Sequence, residues 1–131
     1  VGRDYTFEPR SEQHARLWTT HYPTAALLPM AALSKAARRS PVETIRVPAL
    51  FVFSDRDQVV RPDLTRAIAA RWGASHETVV VNDSDDPAHH VIAGDALSPS
   101  TTGKIADRIV AWISATVTQP ALSGRASREK R

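Results

Sequence analysis

Blocks of apolar residues separated by polar turns predict the order helix, strand, helix, strand, helix along this chain. The clearest block is the continuous apolar run Ala49–Phe53, which follows Pro48 and ends at the polar turn 54–57. Unbroken apolarity predicts a strand covered on both faces, as in a parallel sheet between helices. Pro48 fits only at the beginning of such a strand. A second strand is predicted over 77–81, where Thr78 precedes three valines.

Helical spacing follows in three longer segments. Residues 24–39 are rich in alanine and leucine, and Pro29 either kinks this helix or marks a restart at a first helical position. The helix over 62–72 opens with Pro62 and an acid and is stopped by Gly73. The last helix is predicted to begin at Thr101 or Thr102, to end near Thr118 and to bury an apolar stripe. That stripe comprises Ile105, Ile109, Trp112, Ile113 and Val117.

The first residues carry a weaker pattern. A short helix is predicted within 11–20, with Leu17 and Trp18 partly buried. Two parallel strands joined by a helix form one crossover unit of a larger doubly wound sheet, so the predicted class is α/β. Two strands alone leave unpaired edges and thinly covered faces, so the sheet is expected to be incomplete. A chain that begins with Val1 rather than methionine fits a truncated or processed product.

Composition and charge narrow the range of functions. The sequence has no cysteine, which excludes disulfides and thiolate metal sites. No apolar run is long enough to span a membrane, and the start lacks the layout of a signal peptide, so a cytoplasmic protein is predicted. The net charge of +3 equals that of the tail 119–131, which is predicted to be disordered. The balanced body therefore lacks the basic face of a nucleic-acid-binding domain.

Acids and histidines follow the two predicted strands. Asp55 and Asp57 come after the first strand, and His89 and His90 lie in the loop after the second. Loops at the carboxyl ends of parallel strands converge on one crevice, where a carboxylate can orient a histidine. Asp57 is favoured over Asp55 because Val59–Val60 should anchor its turn in the core, whereas Asp55 could cap the turn.

Roles outside a catalytic pair stay open for several of these residues. Both aspartates could be ordinary turn residues, and His89 could be an exposed loop residue, a partner of Asp85 or Asp86, or the base in place of His90. A metal site formed by both histidines with Asp85 and Asp86 is disfavoured, because adjacent histidines rarely point at one ion. The remaining histidines are most simply surface or lid residues: His14, His21 and His76.

The stretch Ile45-Arg46-Val47-Pro48-Ala49-Leu50-Phe51-Val52-Phe53-Ser54-Asp55-Arg56-Asp57-Gln58-Val59-Val60 resembles the α/β-hydrolase segment that delivers the triad acid. There the acid stands one residue before a pair of aliphatic residues, which matches Asp57. The stretch His89-His90-Val91-Ile92-Ala93-Gly94-Asp95, before the final helix, is similar to the place of the family histidine, and the match falls on His90. The order of acid and histidine also agrees.

The resemblance covers about 45–117, is weaker over 22–40, and is greatest to lid-bearing hydrolases grouped with serine aminopeptidases and monoacylglycerol lipases. It implies a lid remnant and connecting helix in 1–44, the C-terminal part of the hydrolase core in 45–118, and the tail beyond. The family nucleophile is the serine of a Gly-x-Ser-x-Gly motif. This motif is absent from the sequence, because no serine is framed by the glycines at positions 2, 73, 94, 103 and 124.

The implied function is therefore the C-terminal part of a serine hydrolase that cleaves a small-molecule ester or amide through an acyl-enzyme. Asp57 and His90 are its catalytic residues, no cofactor or metal is needed, and the missing N-terminal half is the partner that carries the serine. By itself the chain is expected to be inactive. The alternative is a non-catalytic hydrolase remnant that acts as a binding or interaction module.

Overall fold

A computed structural model describes residues 2–118, so the predicted disordered tail 119–131 lies outside the described residues. Two short 3-10 turns lie at Thr24–Ala26 and Val42–Thr44. The helices and strands are, in chain order, β1 (Asp4–Thr6), α1 (Glu12–Leu17), β2 (His21–Pro23), α2 (Leu27–Arg38), β3 (Ala49–Phe53), α3 (Pro62–Ala70), β4 (His76–Val80) and α4 (Pro99–Thr118). From α2 onward the predicted order of elements is confirmed.

The central feature is a parallel pair of strands joined by α3. β3 and β4 align from Ala49 opposite His76 to Phe53 opposite Val80, and the Val81 amide extends the pairing by donating to the Phe53 carbonyl at 2.9 Å. The bounds of β3 agree with prediction, and β4 lies one residue earlier than expected. The class is α/β in this broad sense. Phe53 is buried, but the other four residues of β3 are only half-buried. The prediction that β3 is covered on both faces was therefore wrong within residues 2–118.

Residues 4–23 contain an antiparallel strand pair that the pattern did not predict, together with a short helix inside the predicted range 11–20. β1 and β2 pair from Asp4 opposite Pro23 to Thr6 opposite His21, and α1 lies between them in the chain. Ser11 caps α1 by accepting a hydrogen bond from the His14 amide at 3.0 Å. Leu17 and Trp18, expected to be partly buried, are exposed, and it is His14 that is buried here.

Proline residues lie in the first turns of α2 and α3, and a glycine follows the end of α3. Pro29 is the third residue of α2, within the first turn, where its missing amide removes no intrahelical hydrogen bond; the helix begins at Leu27, so Pro29 is not its first position. Pro62 is the first residue of α3. After α3 the chain turns at Gly73, whose amide donates to the Val42 carbonyl at 3.0 Å. A Cβ there would lie 2.0 Å from the Glu43 carbonyl oxygen, so this close approach requires glycine.

The last helix begins at Pro99, before the predicted Thr101, and the Asp85 carboxylate caps it by accepting from the Ser100 amide at 2.8 Å. Ile105 is buried, but the rest of the predicted stripe is partly or largely exposed, so that prediction was wrong for most of its length. A cavity of about 390 Å³ separates part of α4 from the sheet and is lined by Val52, Val79, Val80, Val81, Lys104, Ile105, Asp107 and Arg108. Its apolar walls mark a face that the described residues leave open.

Few apolar side chains are fully buried in residues 2–118: Val42, Phe53, Ala69, Val81 and Ile105. Several large apolar residues of α2 stay exposed, including Leu28 and Leu33. Within the same range, no helix combines the length and the apolarity needed to cross a bilayer. Residues 2–118 therefore have a small apolar core and leave apolar faces exposed.

Candidate active site

The turn after β3 is hydrogen-bonded to Asn82, which lies two residues beyond the end of β4. Ser54 is fully buried, and its hydroxyl donates to Asn82 Oδ1 at 3.0 Å while accepting from the Arg56 amide at 3.1 Å. The Asp55 amide donates to the same Asn82 oxygen at 2.9 Å. Because these bonds join the carboxyl ends of both parallel strands, the turn that carries the aspartates is fixed against the start of the histidine loop.

Asp57 closes this turn with one carboxylate oxygen and contacts a histidine with the other. Its Oδ1 accepts hydrogen bonds from the Val59 and Val60 amides, each at 2.8 Å. Its Oδ2 lies 3.0 Å from His90 Nδ1. The prediction that Val59 and Val60 anchor the turn in the core was wrong, because these residues are 65% and 48% exposed. Their backbone amides, rather than their side chains, orient Asp57.

Asp55 takes a different direction. Both of its oxygens accept from Arg66 Nη2, at 2.7 and 2.8 Å, and the Arg66 guanidinium lies 5.1 Å from the centre of the Phe53 ring. Asp55 therefore pairs with α3, and among the described residues its carboxylate makes no contact with a histidine. Of the two aspartates left open by the sequence, the geometry brings Asp57 to His90. The turn-capping role considered for Asp55 belongs to Asp57.

His90 and His89 lie on the loop between β4 and α4, and they point to different partners. His90 contacts Asp57, and its side chain is 40% exposed. His89 has a left-handed backbone, with φ of 50°, and its Nδ1 lies 3.3 Å from the Ser84 hydroxyl. Its side chain is half-buried and contacts neither of the Asp85 and Asp86 side chains that were considered as partners. Adjacent histidines thus diverge, and one of them reaches the acid.

The charge state of Asp57 follows from these contacts. Burial by itself raises the pKa of the Asp57 carboxyl, but the hydrogen bonds from His90 and from the Val60 and Val59 amides outweigh it and hold that pKa below its usual range. Asp57 is therefore ionised at neutral pH and accepts a hydrogen bond from the N–H group of His90 Nδ1. In a neutral ring this leaves Nε2 as a proton acceptor, and Nε2 makes no hydrogen bond within residues 2–118.

The other candidate groups lie elsewhere. His14, predicted to be a surface or lid residue, is 6% exposed, packs edge-on against Trp18 and accepts from the Arg10 amide at 3.1 Å. His21 and His76 are exposed, as expected of surface residues. In the part of the chain that the structure describes, no three histidine or acidic side chains converge in a way that could hold a metal ion.

Sequence reasoning missed the groups that support the pair. Ser54 and Asn82 connect the strand ends, and the buried Asp86 accepts hydrogen bonds from the loop backbone near His90. Asp86 gave no distinguishing signal, because it stands in a run of polar residues beside Asp83 and Asp85. Only Asp86 of these three is buried, and burial depends on contacts from distant parts of the chain.

Comparisons with known protein families, with characterised proteins and with solved structures found no match to this chain. The geometry comprises an ionised acid, a histidine held by it, and an exposed imidazole edge at the carboxyl end of a parallel strand pair. An imidazole held in this way has the chemistry required of a general base.

Proposed function

We propose that this chain is the C-terminal part of an α/β-hydrolase, a doubly wound sheet enzyme that cleaves small-molecule esters or amides through an acyl-enzyme. The observation that carries the proposal is the 3.0 Å contact between His90 Nδ1 and Asp57 Oδ2. The two residues follow neighbouring parallel strands, at the edge where open α/β sheets place their active sites. They are the same two residues to which the resemblance to the hydrolase family assigns the triad acid and histidine.

The proposed chemistry assigns one role to each residue. His90 Nε2 removes the proton from a serine hydroxyl as the serine oxygen attacks the substrate carbonyl, and Asp57 stabilises the imidazolium that results. The imidazolium then gives this proton to the leaving alcohol or amine, which departs and leaves an ester between serine and the acyl group. Water repeats the same proton transfers, releasing the acid and restoring the serine. No cofactor takes part.

The serine is proposed to come from polypeptide outside these residues, because the sequence contains no Gly-x-Ser-x-Gly turn. The open faces of the fold support a larger sheet. Ile109 and Ile113 of α4 are 37% and 48% exposed, and an apolar cavity remains beside β4. The same faces also favour the second candidate, a non-catalytic remnant that uses them to bind a partner.

The test begins with the coding sequence upstream of Val1. We expect an in-frame apolar strand, a Gly-x-Ser-x-Gly turn and a helix, and we expect the extended protein to hydrolyse short nitrophenyl esters. His90→Ala should then lower kcat/KM by a factor of about a thousand or more. His21→Ala is the matched control, since the one side-chain hydrogen bond of this exposed histidine within residues 2–118 is with the Thr6 hydroxyl.

Two results would overturn the proposal. One is full activity in both the His90→Ala and the His89→Ala variants of the extended protein. The other is a stop codon directly upstream, with no complementary polypeptide encoded nearby, which would favour the remnant that only binds. Activity lost in His89→Ala but kept in His90→Ala would assign the base to the neighbouring histidine, whose ring faces Ser84 in this structure.

A further inference from the structure

One carboxylate lies beneath the histidine loop and is not part of the acid and histidine pair. Asp86 is 3% exposed, although it belongs to a loop without helix or strand. Its Oδ2 accepts hydrogen bonds from the His90 and Val91 amides, each at 3.0 Å. Its Oδ1 accepts from the Ala88 amide at 3.3 Å and from the Arg10 guanidinium. The Asp86 side chain thus accepts hydrogen bonds from three backbone amides of the loop, those of Ala88, His90 and Val91.

These hydrogen bonds fix the place of His90 from its backbone side. Loop amides have no ladder partners, so a buried acceptor decides which backbone conformation is stable. The oxygen that holds the His90 amide also holds the next amide, which restricts the rotation of the intervening peptide group. Asp57 holds the ring of the same residue at Nδ1. Two aspartates therefore hold His90 from opposite ends, one at the main chain and one at the imidazole.

Arg10 connects this arrangement to the N-terminal unit. Its guanidinium pairs with Asp86, and its side chain is 46% exposed while that of Asp86 is 4% exposed. A buried carboxylate is unfavourable unless charge and hydrogen bonds compensate it, and Arg10 supplies the positive charge. The Arg10 amide in turn donates to the buried His14 ring at 3.1 Å. Residues before β2 thereby contact the loop that carries His90.

We propose that Asp86, with Arg10 balancing its charge, is the positioning residue of the site and holds His90 so that its Nδ1 meets Asp57. This inference rests on the proposed function, because it assumes that the contact of His90 with Asp57 is used in catalysis. Burial raises the pKa of Asp86, but hydrogen bonds from the amides of Val91, His90 and Ala88 and from Arg10 outweigh burial and hold the pKa below its ordinary value. Asp86 therefore carries the charge that Arg10 balances at neutral pH.

The experiment observes the His90 ring directly in the 131-residue chain. Nitrogen-15 spectra of the imidazole distinguish the tautomer with the proton on Nδ1, which donates to Asp57, from the tautomer with the proton on Nε2. Carbon-13 titration of the Asp57 carboxyl provides a second readout. The variants are Asp86→Asn and Arg10→Gln, with Arg10→Lys as the conservative exchange. Asp83→Asn is the matched control, because Asp83 is an exposed aspartate of the same loop that pairs with Lys104.

In the parent chain and in Asp83→Asn we expect the Nδ1–H tautomer and a depressed Asp57 pKa. Asp86→Asn should remove the preference for Nδ1–H and move the Asp57 pKa back toward its ordinary value. Arg10→Gln should act in the same direction, and Arg10→Lys should restore most of the parent behaviour. A structural role confined to the loop would leave both readouts unchanged in every variant that still folds.

The outcomes separate this inference from the proposed function. If the parent chain shows the Nδ1–H tautomer and Asp86→Asn keeps it, the positioning role is refuted while the acid and histidine pair stands. If the parent lacks the Nδ1–H tautomer, the pair itself is absent, and both proposals fail. If Asp86→Asn does not fold, Arg10→Gln decides: an unchanged His90 ring in that variant overturns the inference.

Discussion

The close packing at Gly73 makes a sharp prediction about stability. In Gly73→Ala the new Cβ would lie 2.0 Å from the Glu43 carbonyl oxygen and 2.7 Å from that of Ile45. An ordinary contact needs about 3.5 Å, so the segment before β3 would have to retreat by about 1.5 Å. Both obstacles are backbone atoms, which cannot rotate away as a flexible side chain does. The connection between α2 and β3 would therefore be displaced as a unit.

The size of the effect follows from the contacts that are lost. Overpacking of this kind costs about 1–3 kcal/mol. Displacement also weakens the hydrogen bond from the Gly73 amide to the Val42 carbonyl and the one from Arg46 to the Gly73 carbonyl, at 3.0 and 3.1 Å, each worth about 1 kcal/mol. The lower entropy of unfolded alanine returns about 0.4–1 kcal/mol. The expected net loss is about 3 kcal/mol, a fall in Tm of about 10–15 °C.

Gly103→Ala is the matched control, because it is the same chemical change within the exposed surface of α4. A Cβ at Gly103 meets nothing within 4 Å, and alanine is favoured over glycine inside a helix by about 1 kcal/mol. Thermal and urea unfolding followed by circular dichroism should show a lower Tm for Gly73→Ala and an equal or higher Tm for Gly103→Ala. Gly73→Ala melting within about 2 °C of the parent would refute the packing argument.

Three further predictions concern charge and exposed apolar surface. The folded-state pKa of Asp57 is depressed, so the contribution of Asp57 to stability is present above the ordinary pKa of 3.8 and is lost as pH falls through the folded-state pKa. The urea midpoint should therefore decline below about pH 4, and the decline should be less steep in Asp57→Asn. An equal decline in the parent and in Asp57→Asn would contradict this prediction. Asp55→Asn breaks an exposed pair with Arg66 and should cost less than about 1 kcal/mol in the same assay; a loss above about 2 kcal/mol would show that the pair holds the turn. Ile113→Lys should leave unfolding within about 0.5 kcal/mol of the parent and reduce self-association in sedimentation velocity, whereas a clear destabilisation would mean that Ile113 is packed.

Local pattern predicted the elements near the site closely. Ala49–Phe53 is a strand with the expected bounds, and α3 begins at Pro62, because a run of apolar residues and a proline at a helix start act over a few residues. Placing an acid after one strand and a histidine after the next also follows from chain order. The pairing of β1 with β2 was missed, because segments of three residues carry no readable period.

Tertiary contacts decided which of several similar residues meet. Asp55 and Asp57 are two residues apart, and the choice depended on Arg66 of α3 reaching one and His90 reaching the other. The exposure of Val59 and Val60 reversed the reason given for favouring Asp57, since their amides and not their side chains hold it. The exposure of Ile113 could not be predicted either, because periodicity indicates that a helix face is apolar but does not show what covers that face.

The sequence by itself determined the α/β order of elements, the two aspartates after β3 and the two histidines before α4, since propensity, turn chemistry and hydrophobic run length are properties of neighbouring residues. Only the tertiary structure decided that Asp57 contacts His90, that Asp86 is buried beneath the loop, and that Arg10 balances its charge. Each of these depends on contacts between residues far apart in the chain. Burial and the direction of a side chain are fixed only when those distant segments pack together.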